Sequence, residues 1–332
     1  MLDDLTFMRV IGASPDDDGP RLLYADFLEE KGDPASTAHA EFIRVQCALD
    51  AAGPGDGNVD SLRKRERALL NEHWGAWLRP ACQALGEPLL EGTTGRRYTL
   101  EWLPDRERHD HIVRPATGLK IPYFSAAQFR RGFLAHAALY HKESRGERHV
   151  ARLWDKTPLD GLTLAAFDTE GVEKTLAAIE PARLRSLELI FTGDGPVATV
   201  ARHPKLGGLR ELFLQGIQDQ VDLADLVGKS TTLSALRILI FETCSVDEDG
   251  IARLCHAPFA ASLERLELAV CGLTNNGAIR LAREFPTNSR LTHLDLTDNR
   301  FSGAGWRAVR DRFGDVLKNR SGSRPWPTRF YL

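Results

Sequence analysis

A short leucine phrase recurs through the second half of this 332-residue chain and constrains its architecture more than any other feature. The pattern L-x-x-L-x-[L/F] begins at Leu159, Leu184, Leu209, Leu236, Leu263 and Leu291, so successive copies start 25, 25, 27, 27 and 28 residues apart. Apolar residues two apart are a strand signal, because successive side chains point to opposite faces of a strand. The rest of each period is long enough for a helix that carries the chain back to begin the next strand. A unit of this size cannot bury its apolar face alone, so the units must stack on one another.

Period and phrase together resemble the leucine-rich repeats, and the expected fold is α/β: a solenoid of one strand plus one helix per repeat, preceded by a small α-helical N-terminal domain. The stretches beginning Thr274-Asn-Asn-Gly and Ser302-Gly-Ala-Gly read as helix starts. With the spacing of 27 to 28, they are similar to the ribonuclease-inhibitor-like subfamily. Its founding member is a protein inhibitor, so the resemblance implies protein recognition as a mode. The expected boundaries are a helical domain at 1–87, an irregular insertion with short strands at 88–128, repeats at 129–313, and a cap or tail at 314–332.

The first block reads as four helices. Asp16, Asp17 and Asp18 are placed to cap the second, with Pro20 in its first turn, and Gly32 ends it as a left-handed cap. The string Arg21-Leu-Leu-Tyr-Ala-Asp-Phe-Leu-Glu-Glu-Lys-Gly-Asp-Pro34, followed by Ala40-Glu-Phe-Ile-Arg-Val-Gln46, resembles the bacterial repeat-companion domain. That resemblance covers roughly residues 1 to 50 and implies co-occurrence with repeats, with no catalytic activity to carry over. Asp26, Glu29, Glu30, Asp33 and Glu41 could compose a carboxylate site. The simpler expectation is ion pairing, with Arg44 as counter-ion to Asp26 and Glu29.

In the insertion, Thr99, Leu100, Trp102, Ile121, Tyr123 and Phe124 point to short strands. His109 and His111, with Asp105 or Asp110, offer a weak metal or acid–base grouping, since H-x-H without a separated third ligand has little specificity. Phe129 to Phe133, continued by Leu134, His136, Ala138 and Tyr140, reads as one edge strand before the first clear repeat. In the tail, Trp326, Phe330 and Tyr331 alternate with Arg320, Arg324 and Arg329 and suit a C-terminal cap or a docking peptide.

If the phrase leucines point inward, the intervening residues form a concave sheet surface. The candidate partner-binding residues there are Glu188, Ile190, Glu211, Phe213, Ile238, Ile240, Glu242, Arg265, Glu267, His293 and Asp295. Ile190, Phe213, Ile238 and Ile240 would set large apolar groups toward water, ringed by acid, which is how an interface is built. The matching partner is a protein with an apolar anchor flanked by Lys or Arg. Three residues past each phrase stand Phe167, Thr192, Ile217, Cys244, Cys271 and Asn299. Such repeats typically carry a small polar side chain there that serves buried backbone, which makes Cys244 and Cys271 structural.

A net charge of -3 gives no global field for nucleic acid or an anionic membrane. The acidic N-terminus reads as unsuited to a secretory signal, and no run approaches the roughly 18 apolar residues that span a bilayer. Five scattered cysteines without a C-x-x-C pair fit neither a disulfide framework nor a structural zinc site. There is no phosphate loop, G-x-S-x-G or H-E-x-x-H. The expectation is a cytoplasmic, non-enzymatic interaction scaffold with no cofactor, no metal and no catalytic residue. The alternative is a substrate-recognition subunit or an enzyme whose site lies in 88–128.

Overall fold

The computed structural model describes residues 3–53, 56–86, 90–91, 95–96, 98–102, 111–115, 124–141, 150–179, 183–217 and 222–317. Asp105, His109, Asp110, Ile121, Tyr123 and the aromatic and basic residues of the tail lie outside them. The fold is α/β, and its contacts gather into two compact units, one reaching Gly161 and one starting at Leu162.

The first unit opens with four helices: α1 (Asp4–Ala13), α2 (Gly19–Glu30), α3 (Pro34–Ala51) and α4 (Val59–Ala84). Their punctuation is chemical. Asp3 caps α1 by accepting from the Thr6 amide at 2.9 Å, and Asp33 caps α3 by accepting from Ser36 at the same distance. Gly32 ends α2 with φ of +72°, as its position before Pro34 predicts. Ahead of α2, Asp17 rather than Asp18 supplies the bond, its Oδ1 accepting from Gly19 N. The supposed carboxylate site resolves into ion pairs: Arg44 bridges Asp26 at 2.7 Å and Glu29 at 2.5 Å, and Arg65 meets Glu41 at 2.5 Å.

Strands follow: β1 (Leu90–Glu91), β2 (Gly95–Arg96), β3 (Tyr98–Trp102), β4 (His111–Pro115), β5 (Phe124–Arg130) and β6 (Phe133–Tyr140), then the short α5 (Val150–Trp154). β3 to β6 form an antiparallel succession. The stretch expected as one edge strand is therefore two, folded back at Arg131-Gly132. Both turn residues have positive φ, +49° and +87°, which is the geometry of a tight two-residue hairpin turn. Residues 129 onward were expected to belong with the repeats. The turn instead seats on α3, where Gly132 N donates to Gln46 Oε1 at 2.6 Å and Arg131 pairs with Asp50. Phe133 joins Phe7, Met8, Ile11, Tyr24, Leu28 and Ile43 in one apolar core.

The second unit repeats a strand and a helix six times: β7 (Gly161–Ala165), α6 (Thr169–Ala178), β8 (Ser186–Ile190), α7 (Asp194–Arg202), β9 (Glu211–Gln215), α8 (Leu223–Gly228), β10 (Ile238–Glu242), α9 (Glu248–Cys255), β11 (Arg265–Ala269), α10 (Asn275–Glu284), β12 (His293–Asp295) and α11 (Gly303–Phe313). The strands lie side by side in chain order, and β8 to β12 pair in parallel without a register shift. Leu162, Leu187, Leu212, Leu239, Leu266 and Leu294 occupy the same position of each strand and are no more than 1% exposed. Each phrase thus supplies one layer of a continuous apolar row.

Two further positions repeat. Two residues past each phrase the backbone turns left-handed, at Ala166, Phe191, Gly216, Thr243, Val270 and Asp298. One residue later, a polar side chain satisfies the turn in the last three units, whereas Phe167 and Ile217 stand there in the first and third. Cys244 Sγ donates to Leu214 O, and Cys271 Sγ donates to Phe241 O. Asn299 Oδ1 accepts from Cys271 N and Leu273 N, both at 3.0 Å. Four helices in this unit have side-chain caps from Asp168, Asp222, Asp247 and Thr274. None of the described helices is long and apolar enough to cross a membrane.

Candidate functional site

The parallel register lines the candidate residues up in rows on the sheet face away from the phrase leucines. Glu188, Phe213, Ile240, Glu267 and Asp295 are successive partners across β8 to β12. Ser186, Glu211, Ile238, Arg265 and His293 make the row before them; Ile190, Gln215, Glu242 and Ala269 make the row after. All eleven residues chosen from the sequence share this face.

Their exposure differs from the expectation. Ile190, Phe213 and Ile240 were read as apolar groups facing water, yet all three are buried, as are Glu188, Glu267 and Asp295. Strands about 4.8 Å apart bring same-row side chains into lateral contact. Glu211, Ile238, Glu242, Arg265 and His293 remain half-buried and define the accessible surface. Sequence reading also passed over Phe191 and Val270, which are 58% and 39% exposed. They sit at the left-handed position just past β8 and β11. The missed signal was positional: the same offset from the phrase in every unit.

The central row carries charge at a cost. Thr163 Oγ1 donates to Glu188 Oε2 at 2.7 Å, while Glu188 Oε1 is buried without a hydrogen-bond partner. Burial, against the opposing effect of Thr163, pushes the Glu188 carboxyl up to about 7, and nearby Glu242 adds to the rise. At the other end Arg265 Nε donates to Glu267 Oε1 at 2.7 Å. Burial alone would raise Glu267, but the nearness of His293 and Arg265 outweighs it and lowers its pKa. His293 Nε2 lies 3.2 Å from Glu267 Oε1. Donor atoms of Glu267, His293 and Asp295 all fall within 4.8 Å of one another, a set able to hold a metal ion that the sequence reading did not anticipate.

All five cysteines are buried. Burial pushes the Cys47 and Cys255 thiols up to about 12 and Cys244 up to about 11, away from nucleophilic reactivity at neutral pH. In the first unit a cavity of about 880 Å³ is lined by Tyr24, His39, Trp77, Phe129 and Phe133 among others. Its described lining takes no residue from 88–125. His109 lies outside the described residues, and of His111 only the backbone is described.

No protein-family model matches the chain. Over 112 residues, 32% of its length, it is 40% identical to NACHT, LRR and PYD domains-containing protein 14 of Mus musculus. Over 87 residues, 25% of its length, it is 38% identical to the Homo sapiens protein of the same name. The chain spans only 11% of the mouse protein and 8% of the human one. The similarity supports leucine-rich repeats in this chain, in agreement with its phrase and its strand–helix units.

Proposed function

We propose that this chain is a non-enzymatic interaction scaffold that binds a protein partner on the sheet face carrying Glu188, Phe213, Ile240 and Glu267. One observation carries the reading: the register sets an apolar pair, Phe213 and Ile240, between buried carboxylates at Glu188 and Glu267. Half-buried Glu211 and Glu242 and exposed Phe191 supply the accessible contacts. A buried carboxylate oxygen without a donor is expensive, and an incoming arginine or lysine would relieve it. The partner therefore presents an apolar side chain flanked by basic groups. Similarity to leucine-rich-repeat proteins supports protein binding as the general mode. From sequence resemblance, the helical block is assigned as a bacterial repeat-companion module accompanying a repeat solenoid; the scattered cysteines, without a disulfide pattern, support a cytoplasmic setting.

The test is affinity capture from the native cell followed by quantitative mass spectrometry, comparing wild type with a Phe191→Asp, Glu242→Lys variant. A partner depleted at least tenfold by the variant supports the reading. Equal recovery from both would move the search to the 88–128 segment and to the enzyme alternative.

A further inference from the structure

We propose that Glu267, His293 and Asp295 form a binding site for a divalent transition metal of the zinc type, at the β11–β12 end of the sheet. Two adjacent parallel strands place it. Glu267 is the register partner of Asp295, and Arg265 is the register partner of His293, so His293 stands diagonal to Glu267 on the same face. The three donor atoms lie within 4.8 Å of one another. Ligands of a tetrahedral zinc ion stand about 3.4 Å apart at bond lengths of about 2.0–2.2 Å, so a contraction of at most about 1.4 Å completes the site.

Two observations separate this cluster from a chance meeting of polar groups. First, His293 Nε2 is shielded from solvent and stands 3.2 Å from Glu267 Oε1, so imidazole and carboxylate already converge on one point. Second, Glu267 and Asp295 are each 6% exposed, and their environment already holds them. Arg265 donates to Glu267, and Asp295 Oδ1 accepts from Thr297 N at 2.9 Å. Ligating carboxylates are commonly oriented by such outer bonds. Arg265 also opposes a cation, but the two carboxylates of Glu267 and Asp295 outnumber its one guanidinium. One nitrogen and two carboxylate donors suit zinc better than the harder calcium or magnesium. Three protein ligands leave a fourth position open.

The site is tested without any partner, so its outcome stands apart from that of the interaction reading. Tag-free full-length protein, stripped with a chelator and exchanged into metal-free buffer, is titrated with ZnCl2 by calorimetry and with CoCl2 by visible absorption. The expected result is saturation at one ion per chain, with a Co2+ ligand-field band. Binding is expected to weaken at least tenfold in His293→Ala and in Asp295→Asn, both checked for folding by circular dichroism. His293→Gln replaces His293→Ala if the latter melts early. Absence of saturable binding, or equal binding by wild type and both variants, would overturn the assignment.

Discussion

His39 Nε2 lies 2.8 Å from the carbonyl oxygen of Gly132, and this contact fixes both the state of the histidine and the seat of the β5–β6 turn. A carbonyl only accepts, so Nε2 carries the proton. Gln46, seven residues on along α3, accepts from Gly132 N at 2.6 Å and its Nε2 donates to Oε1 of buried Glu66 at 2.7 Å. Between them in α3, Ile43 closes on the glycine: a Cβ at Gly132 would stand 2.3 Å from Ile43 Cγ1 and 2.7 Å from its Cα. Gly132→Ala therefore meets helix backbone as well as an unfavourable φ of +87°. The expected loss is about 3 kcal/mol or more. Gly57→Ala, with nothing within 4 Å, is the control. Comparable urea midpoints for the two variants would contradict this account of the turn.

His39 also predicts an acid response. It is fully enclosed, and burial drives its pKa down to about 4 from the ordinary 6.5, only partly countered by the bond to Gly132. A depressed histidine is neutral in the fold while the unfolded chain takes up the proton first. Its contribution is present above about pH 6.5 and is lost as pH falls toward 4. Between pH 7 and 5 the loss is about 2 kcal/mol. Glu188 and Asp222, both pushed up to about 7 chiefly by burial, act in the opposite direction over this range. The measurement is accordingly a difference: the melting temperature of wild type minus that of His39→Gln, at pH 7 and pH 5. That difference should fall on acidification. A constant difference would mean that His39 is not held neutral.

The repeat strands were legible because period-2 and period-25-to-28 signals reinforce each other over six copies. One leucine phrase alone would be ambiguous; six fix which residues face inward. The hairpin was not legible, because Phe129-Arg-Arg-Gly-Phe133 reads as alternation unless Arg131 is known to adopt positive φ, which arginine seldom does. The site was legible as to face but not as to exposure. Alternation tells which way Phe213 points, whereas its row neighbours Glu188 and Ile240 come from strands in other repeats. The Glu267–His293–Asp295 grouping was hidden for the same reason. Its members are spread over two repeats and match no ligand motif along the chain.

Val270 is a branched residue held at φ of +56°, where its counterpart in the next unit is Asp298 and in an earlier one Gly216. A β-branched side chain there crowds the backbone, while asparagine tolerates the conformation. Val270→Asn should stabilise the protein by about 1 kcal/mol, or about 2–4 °C in melting temperature. Calorimetry of the purified variant decides the point. A decrease would show that the partly exposed Val270 side chain contributes packing that outweighs its strain.

Glu188 joins stability to the proposed function. Its carboxyl is buried, accepts one hydrogen bond from Thr163 and leaves Oε1 unpaired. Raised to about 7, it keeps its proton in the fold at a pH where the unfolded chain has released it. Its unfavourable contribution therefore grows as pH rises from about 4.5 and is complete above about 7. Glu188→Gln removes the ionisation, so it should melt with wild type at pH 4 and above it at pH 8, by up to about 3 kcal/mol. If the row exists to receive a basic side chain, the same substitution should weaken partner capture at pH 8 even as it stabilises the chain. Gain of stability with loss of binding marks a residue retained for recognition. Gain of stability with unchanged capture would remove Glu188 from the interface and leave the half-buried rim, Glu211 and Glu242, to account for it.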